Sequence, residues 1–313
     1  MSQTYPFVSV IVPVYNEADE LPGLIASLAA LDWPADRLEI LCVDNGSKDN
    51  SRELLSRCPR IRVLQEAKPG SYAARNRAIR ESRGELIAFT DADCTVDPNW
   101  IKELVAGFEG DPTVGAVGGT IVPQPATNAI DYFEGSILHN PSHGRGTARV
   151  RPYLVTANAM YRRAVFDRLG LFDEGRFSGR DVEMSWRMLT EGTWTLRILE
   201  DGRARVLHRC RSSFREFAYV RRRTSFGWYH LTRQYPQMAP VPRLERYLAR
   251  VLIAGALCPF TTLGRLGLAL VGRTSFRDVP RDLLHFTVQW NHLLGTARAQ
   301  LTEAGWQPSQ MLR

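Results

Sequence analysis

Residues 84–94 read Gly-Glu-Leu-Ile-Ala-Phe-Thr-Asp-Ala-Asp-Cys. The apolar run from Leu86 to Phe89 favours a strand that is covered on both faces, as in the middle of a parallel sheet. Ligands of such sheets bind beyond the carboxyl ends of the strands, which is where Asp91 and Asp93 fall. Two aspartates with one small residue between them can direct oxygens at one Mg²⁺ or Mn²⁺, which can then hold a diphosphate. The alternative is an acidic turn before the next helix, since aspartate is common in turns and at helix starts.

Strand-like and helix-like segments alternate before this stretch. Apolar runs at residues 8–14, 38–43 and 61–64 predict three more strands, and a helical pattern follows each of them. This alternation predicts an α/β fold in which a mostly parallel central sheet carries helices on both faces. No Gly-x-Gly-x-x-Gly motif or Walker-type loop follows the first strand, which disfavours a dinucleotide cofactor or a phosphate-cradling loop.

Three residues near the predicted strand ends could recognise a nucleotide. The carboxylate of Asp44 could accept a hydrogen bond from a uracil imide or a ribose hydroxyl, although an Asp-Asn-Gly-Ser turn is the simpler alternative. Tyr15 could lie against a base, although aromatic residues at strand ends are more often packed. Arg75 could reach a base or a phosphate, although most helical arginines face solvent.

Two later residues could complete a catalytic site. A helix that starts near Gly179 places Asp181 in its first turn, where it could act as a general base beside the ligand edge of the sheet. The alternative is a capping role, because Ser178 and Asp181 resemble a capping box. His208 could complete the coordination of a cation with Asp93, although a lone histidine is more often structural or exposed.

A long irregular stretch occupies residues 121–151. It is rich in Pro, Gly, Ser and His, and helical periodicity is confined to the part from Ile130 to Leu138. Such stretches are typical of lids or binding loops. His139 and His143 could be ligands, although their spacing alone favours surface histidines.

Composition narrows the class of protein. The 313 residues allow one large domain or two moderate ones, and 44% hydrophobic with 23% charged residues is typical of a globular chain. The five cysteines form no Cys-x-x-Cys pair, which argues against a disulfide framework or a zinc site and is compatible with a reducing cytosol. The first residues show no basic region followed by a long apolar segment, so we expect no secretory signal.

Positive charge is concentrated in one segment. Residues 201–250 contain twelve arginines and no lysine against three acids, whereas the whole chain has a formal net charge of +7. We therefore expect an anionic partner for this segment, such as lipid headgroups or a phosphorylated substrate. Nucleic acid is disfavoured because no recognised nucleic-acid-binding module accompanies the arginines.

The C-terminal third favours a membrane-associated helical region. Residues 251–263 are uncharged and mostly apolar but too few to cross a bilayer, and Arg265 interrupts the apolar pattern before residues 266–272. We predict peripheral attachment to the cytoplasmic face of the membrane, with a re-entrant pair or an ordinary packed subdomain as alternatives. A later helix, flanked by Arg277 and Arg281, has an apolar face: Leu283, Phe286, Trp290, Leu293 and Leu294.

Four segments in order resemble those of family 2 glycosyltransferases, which have the GT-A fold. They are Val-Ile-Val-Pro-Val-Tyr-Asn-Glu at residues 10–17, Val-Asp-Asn-Gly-Ser-Lys-Asp at residues 43–49, the stretch at 84–93, and residues 177–187. In the fourth segment Arg180-Asp181 replaces the usual Glu-Asp pair. The resemblance covers about the first two thirds of the chain, and four ordered motifs are more specific than any one of them.

The resemblance implies a donor, a cofactor and a domain plan. The donor is a nucleotide-diphosphate sugar, a UDP-sugar by our reading, the cofactor is Mn²⁺ or Mg²⁺, and transfer inverts the anomeric carbon. The acceptor would be a glycan or a lipid-linked acceptor. A GT-A catalytic domain would occupy residues 1–210, with a basic, helical, membrane-proximal region over residues 211–313.

The resemblance also implies a role for individual positions. Asp93 would bind the metal, His208 would be a further metal ligand, and Asp181 would take the proton from the acceptor hydroxyl. Arg180 and Trp186 would lie on the acceptor side. The donor nucleotide would contact Pro13, Tyr15, Glu17, Asp44, Arg75 and Asp91.

Two other functions fit parts of the sequence. A nucleotidyltransferase of similar layered architecture would release pyrophosphate, but the Gly-rich triphosphate loop expected after its first strand is absent from the sequence. A catalytically silent, membrane-associated subunit would use the arginine-rich segment to bind partners. The aspartates at 91, 93 and 181 argue against such a silent protein.

Overall fold

A computed structural model describes residues 5–138, 144, 146–175, 178–199 and 202–303, without the side chains of residues 137 and 138. His139 and His143 lie outside the described residues, so the hypothesis that they are ligands stays a prediction. The chain divides into two compact units. The first contains residues 1–122, 141–176 and 180–209, and the second contains residues 123–140, 177–179 and 210–313.

The described residues form ten strands and ten α-helices. The strands are β1 Val8–Val14, β2 Leu38–Asp44, β3 Ile61–Gln65, β4 Leu86–Thr90, β5 Cys94–Val96, β6 Val114–Gly118, β7 Ile121–Pro123, β8 Asn158–Arg162, β9 Thr195–Ile198 and β10 Val206–His208. The helices are α1 Leu21–Ala29, α2 Ser51–Ser56, α3 Ser71–Glu81, α4 Trp100–Ala106, α5 Ala129–Leu138, α6 Arg163–Leu169, α7 Arg180–Glu191, α8 Phe214–Gln234, α9 Leu244–Leu270 and α10 Arg281–Glu303. Short 3₁₀ helices occupy Ala35–Arg37 and Phe276–Asp278.

A seven-stranded sheet forms the centre of the first unit, in the order β3-β2-β1-β4-β8-β6-β9. The first four strands in this order are parallel, whereas β8 runs antiparallel to both of its neighbours. Every residue of β1 and of β4 is buried, which explains their continuous apolar sequences. The prediction of an α/β fold with a mostly parallel central sheet is confirmed.

A second sheet has three strands in the order β5-β10-β7. Its strand β5 follows β4 in the chain. Strand β10 runs antiparallel to β5, and this register sets His208 opposite Cys94. Because Cys94 directly follows Asp93, the pairing brings together two residues that are far apart in the sequence. The small sheet therefore positions the predicted metal ligands.

Helices cover both faces of the central sheet. Alternate residues of β1 contribute to separate apolar clusters: Val10 and Val12 pack on the side of α1 and α4, and Ile11 packs on the side of α3, α6 and α7. On the second side, Phe89 lies edge-to-face against Phe166 at 6.0 Å between ring centroids. Helices α3 and α7 thus lie on the same face of the sheet, which lets their first turns meet.

The second unit is helical. Helix α10 packs along both α8 and α9, and α5 joins the same unit, although the sequence assigned its residues to the catalytic domain. Gly295 of α10 lies against α8, where a Cβ atom would clash with the carbonyl oxygen of Arg222. Close helix packing at this point therefore requires glycine.

The apolar segments on either side of Arg265 form one helix rather than two pieces. Helix α9 runs for 27 residues and contains Pro259 in its interior. The sequence alone suggested that residues 251–263 are too few to cross a bilayer, whereas the helix continues through Arg265 to Leu270. The Arg265 side chain pairs with Asp282, with 2.6 Å between Nε and Oδ2. Within the described residues, α9 is the one helix long and apolar enough to cross a membrane, and almost none of it is buried inside the chain.

Candidate active site

The first part of the site lies just past β4. The carboxylate of Asp91 pairs with Arg75, whose side chain is buried in the first half of α3. Asp93 is partly exposed, and its Oδ2 lies 3.7 Å from Nε2 of His208 on β10. The strand end thus presents two carboxylates with different partners, one facing a buried arginine and the other an imidazole.

The residues around Asp93 suit a divalent cation. Ligand atoms of Asp93, Cys94 and His208 all lie within 4.8 Å of one another. Nδ1 of His208 is buried and has no hydrogen-bond partner among the described residues, while Nε2 faces the carboxylate. Burial and the charges of Asp93 and Asp91 raise the pKa of the Cys94 thiol well above its usual value, so sulfur is a poor ligand in this setting. Carboxylate oxygen and imidazole nitrogen are donors that Mn²⁺ accepts.

Glu17 is a third acidic residue close enough to Asp91 and Asp93 to feel their charge, although the resemblance implied only a nucleoside contact for it. Burial and then the charge of Asp93 raise the pKa of Glu17 to about 7, with smaller contributions from Glu20 and Asp91. Arg209 opposes this rise and pairs with Glu20, with 2.7 Å between Nη1 and Oε1. A bound cation would relieve the same repulsion.

The predicted nucleoside contacts lie at the ends of β1 and β2. Tyr15 directly follows β1 and is 55% exposed, as a stacking side chain would need to be. Asp44 ends β2 opposite Val14 and is buried, and its Oδ1 accepts the backbone N–H of Ser47 at 3.0 Å. This is the turn hydrogen bond that the alternative interpretation expected. Pro13 is buried within β1, where it can shape the strand end.

Asp181 lies in the first turn of α7, as predicted, and is held by three hydrogen bonds. Its Oδ1 accepts from the backbone N–H of Val182 at 2.9 Å and from the hydroxyl of Tyr72 at 3.1 Å. Its Oδ2 accepts from the backbone N–H of Thr156 at 3.2 Å. Burial raises the pKa of the Asp181 carboxyl, and the charge of Arg75 and these hydrogen bonds limit the rise.

Tyr72 and Thr156 also contact Asp181, and the sequence alone did not predict a role for either. Tyr72 lies three residues before Arg75 on α3, so the two side chains share a helix face, and the guanidinium carbon lies 5.3 Å from the ring centroid. This one turn of α3 reaches Asp91 through Arg75 and Asp181 through Tyr72. The spacing alone gave no signal, because a tyrosine before an arginine is common on packed helices.

The two residues expected on the acceptor side are largely enclosed. The buried Arg180 side chain pairs with the half-exposed Asp173, with 3.0 Å between Nη2 and Oδ2. Trp186 is fully buried and donates its indole N–H to the carbonyl of Arg151 at 3.3 Å. Their roles toward an acceptor stay predictions, and direct contact by Trp186 would require its ring to leave the interior.

Comparisons with known proteins agree with this architecture. The chain is 32% identical over 211 residues to the glycosyltransferase AglE of Haloferax volcanii, a match that covers 64% of this chain and 67% of AglE. It is 28% identical over 318 residues to the pre-mycofactocin glycosyltransferase of Mycobacterium tuberculosis, covering 96% of this chain but 63% of that protein. The chain thus spans about two thirds of the length of these relatives.

A solved structure shares the fold. The mannosyltransferase PcManGT of Pyrobaculum calidifontis, in complex with GDP-Man and Mn²⁺, superimposes with a TM-score of 0.59 at 20% sequence identity. The match covers 99% of this chain and 79% of PcManGT. Residues 9–170, which include α3, all of β1 but its first residue, and both aspartates that follow β4, match the profile of glycosyl transferase family 2. By this match and by its similarity to AglE, the chain belongs to glycosyltransferase family 2.

Proposed function

We propose that this chain is an inverting, cation-dependent glycosyltransferase that moves a sugar from a UDP-sugar to a glycan or lipid-linked acceptor. One observation carries the proposal: a single turn of α3 reaches both the aspartate beside the cation ligands and the aspartate in the first turn of α7. A leaving diphosphate needs its negative charge offset, and an attacking hydroxyl needs a base that accepts its proton. The two carboxylates, which belong to separate elements, lie at the positions where these two functions would be carried out.

Asp181 acts on the acceptor. A neutral hydroxyl is a poor nucleophile, and a carboxylate that takes its proton makes attack on the anomeric carbon easier. Burial raises the pKa of Asp181, which brings its proton affinity closer to that of an effective base near neutral pH. The proton therefore moves from the acceptor oxygen to Asp181 as the new glycosidic bond forms.

Asp93 and His208, which lie side by side, would hold the divalent cation, and Asp91, which pairs with Arg75, would face the donor. When bound, the cation offsets the negative charge that develops on the departing nucleoside diphosphate. Tyr15 stacks on the base, and Asp44 accepts a hydrogen bond from the uracil imide. A GDP-sugar is the alternative donor, because the structural neighbour PcManGT is in complex with GDP-Man.

Thermal stabilisation tests the donor and the cation together. A ligand that binds only the folded state raises Tm, and the rise is larger the more tightly the ligand binds. We expect UDP-sugars to raise Tm in the presence of Mn²⁺ and to lose this effect when a chelator is added. Stabilisation by GDP-sugars alone would contradict the uridine assignment, and pyrophosphate release from a nucleoside triphosphate would favour the nucleotidyltransferase.

We further propose that the second unit binds the cytoplasmic face of a membrane, and the exposed apolar surface of α9 supports this. Helix α9 exposes a row of large apolar side chains, with Phe260 75% and Leu263 66% exposed. Contiguous apolar surface of this kind marks an interaction site. Arg265 is the only charged residue between positions 251 and 270, and its pairing with Asp282 lowers the cost of bringing it near lipid.

Charge favours a bilayer over a second copy of the chain. Arg243, Arg246 and Arg250 precede the apolar part of α9, and further arginines follow it at 273, 277 and 281. Anionic headgroups would meet both sets, whereas parallel copies would bring arginines together. The exposed Leu283 and Trp290 of α10 extend the apolar surface. All five cysteines are free, which fits the reducing cytoplasmic side.

We expect the combined substitution of Leu257→Glu and Phe260→Glu to weaken vesicle binding at least about ten-fold, because each change places a charge against hydrocarbon. Cosedimentation with vesicles containing phosphatidylglycerol, compared with pure phosphatidylcholine, measures this. The matched control, Thr190→Glu with Gln234→Glu, adds the same charge at exposed positions elsewhere and should bind normally. Unchanged binding by the Leu257 and Phe260 variant would contradict the proposal, as would dimers formed through this face without vesicle binding.

A further inference from the structure

The hydroxyl of Tyr72 has a fixed direction. The backbone N–H of Arg180, at the start of α7, lies 3.2 Å from the Tyr72 oxygen, and an N–H can only donate. The oxygen therefore accepts that bond, and its own hydrogen points to Oδ1 of Asp181 at 3.1 Å. A short relay thus runs from the first N–H of α7 through the phenol to the carboxylate.

The two oxygens of Asp181 are bound unequally. Oδ1 accepts both the Tyr72 hydroxyl and the Val182 N–H, whereas the bond to Oδ2 that the described residues supply is the longer one from Thr156. An oxygen whose lone pairs are already engaged by two donors is a weak proton acceptor. Oδ2 therefore keeps the greater capacity to take a proton.

We propose that Tyr72 is the positioning residue of the catalytic base, holding Oδ1 of Asp181 so that Oδ2 receives the proton of the acceptor hydroxyl. This inference rests on the proposed function, in which Asp181 is the base. Tyr72 does not touch the reacting atoms. It acts by fixing the orientation and the charge of the carboxylate.

The surroundings of Tyr72 suit this role. Its ring packs against Phe172, with 5.8 Å between centroids, and lies under the guanidinium of Arg75. Burial raises the pKa of the Tyr72 phenol beyond its ordinary range, so the hydroxyl remains a donor across the working pH range. Because Phe172 and Arg75 pack on its ring, the Tyr72 side chain is held in place with its hydroxyl within hydrogen-bond distance of Asp181.

The charged and titratable groups around Asp181 come from three elements and the segment before β8. Arg75 lowers the pKa of Asp181, and the hydrogen bond from Tyr72 lowers it as well. The charge of Asp181 in turn raises the pKa of nearby phenols. The groups around Asp181 are Arg75 and Tyr72 on α3, Tyr153 before β8, Tyr161 on β8, and Glu183 and Arg187 on α7. Of these, Glu183 and Arg187 act on the pKa of Tyr161.

The test is the pH dependence of kcat in Tyr72→Phe. Loss of the hydrogen bond removes support for the charged carboxylate, so the pKa of Asp181 rises and the acid limb of the profile moves to higher pH. We expect kcat to fall about three- to ten-fold on the acid limb and to converge with wild type at high pH. KM for the donor should stay unchanged. An exposed tyrosine variant, Tyr219→Phe, is the matched control.

A second substitution shifts the profile in the opposite direction. A 3-fluorotyrosine at position 72 keeps the ring and hydroxyl but is a stronger hydrogen-bond donor, so the acid limb should move to lower pH. This variant also tests the proposal if Tyr72→Phe folds poorly, since it preserves the packing. Opposite shifts for the two variants support the positioning role, which a packing role alone would not produce.

Other outcomes overturn the proposal. An acid limb that neither variant moves, or a loss of kcat that is equal at every pH, would show that Tyr72 only packs. Asp181→Asn separates this failure from failure of the proposed function. If Asp181→Asn is inactive while the Tyr72 variants keep the wild-type profile, only the role of Tyr72 is wrong. If Asp181→Asn retains full transfer, the base itself is wrong.

Discussion

Asp181→Asn should lower kcat by about two to four orders of magnitude while donor binding changes less than about two-fold. An amide is nearly the same size as the carboxylate, and its single oxygen can keep the two hydrogen bonds that Oδ1 accepts, from the Val182 N–H and the Tyr72 hydroxyl. The amide nitrogen cannot replace Oδ2 as acceptor for the Thr156 N–H. It cannot take a proton from the acceptor hydroxyl. The residues assigned to the donor are untouched, so binding and chemistry should separate.

Initial rates at saturating donor, with donor affinity from calorimetry, measure this effect. Asp167→Asn is the matched control, because Asp167 is an exposed aspartate on α6 outside the site. It should keep wild-type rates and binding. Transfer by Asp181→Asn within ten-fold of wild type would remove Asp181 from the role of base. The rate of wild type should also fall as pH drops through the raised pKa of Asp181, because the protonated acid cannot accept a proton.

Asp93→Ala should abolish the Mn²⁺-dependent part of UDP binding, an effect of about 100-fold or more in affinity. Asp93 provides the carboxylate that faces His208, and without it the imidazole would be the main remaining ligand there. His208→Ala should have a smaller effect, about ten-fold, because the carboxylate charge remains. Calorimetric titration of UDP with and without Mn²⁺ measures both.

Asp36→Asn is the control for these titrations, since the Asp36 side chain is 81% exposed on the short 3₁₀ helix before β2. It should bind UDP as wild type does. Equal UDP affinity of Asp93→Ala and wild type in the presence of Mn²⁺ would contradict the cation site. Removal of Asp93 should also lower the pKa of Glu17, because the Asp93 charge helps to raise it.

Local sequence was enough to predict the catalytic fold because its signals are short-range. A continuous apolar run marks a strand buried on both faces, and Leu86–Thr90 is such a strand between β1 and β8. The position of Asp91 and Asp93 past its end follows from sheet geometry. Asp181 in the first turn of α7 follows from the preference of acids for helix N-termini.

The remaining features depend on tertiary contacts that no local pattern records. The link from Tyr72 to Asp181 joins residues 109 positions apart and exists because α3 and α7 cover the same face of the sheet. Arg265 looked like a break in an apolar segment because its partner, Asp282, lies on another helix. The placement of α5 in the second unit likewise depends on packing against α8 and α10.

The central claim is that Asp181 and the cation-binding Asp93 act on opposite faces of the donor sugar. The anomeric configuration of the newly formed glycosidic bond, determined by proton NMR of the product, tests it most directly. Displacement by a hydroxyl that Asp181 activates from the face opposite the leaving diphosphate predicts an inverted anomeric carbon. A product that retains the configuration of the donor would contradict the account.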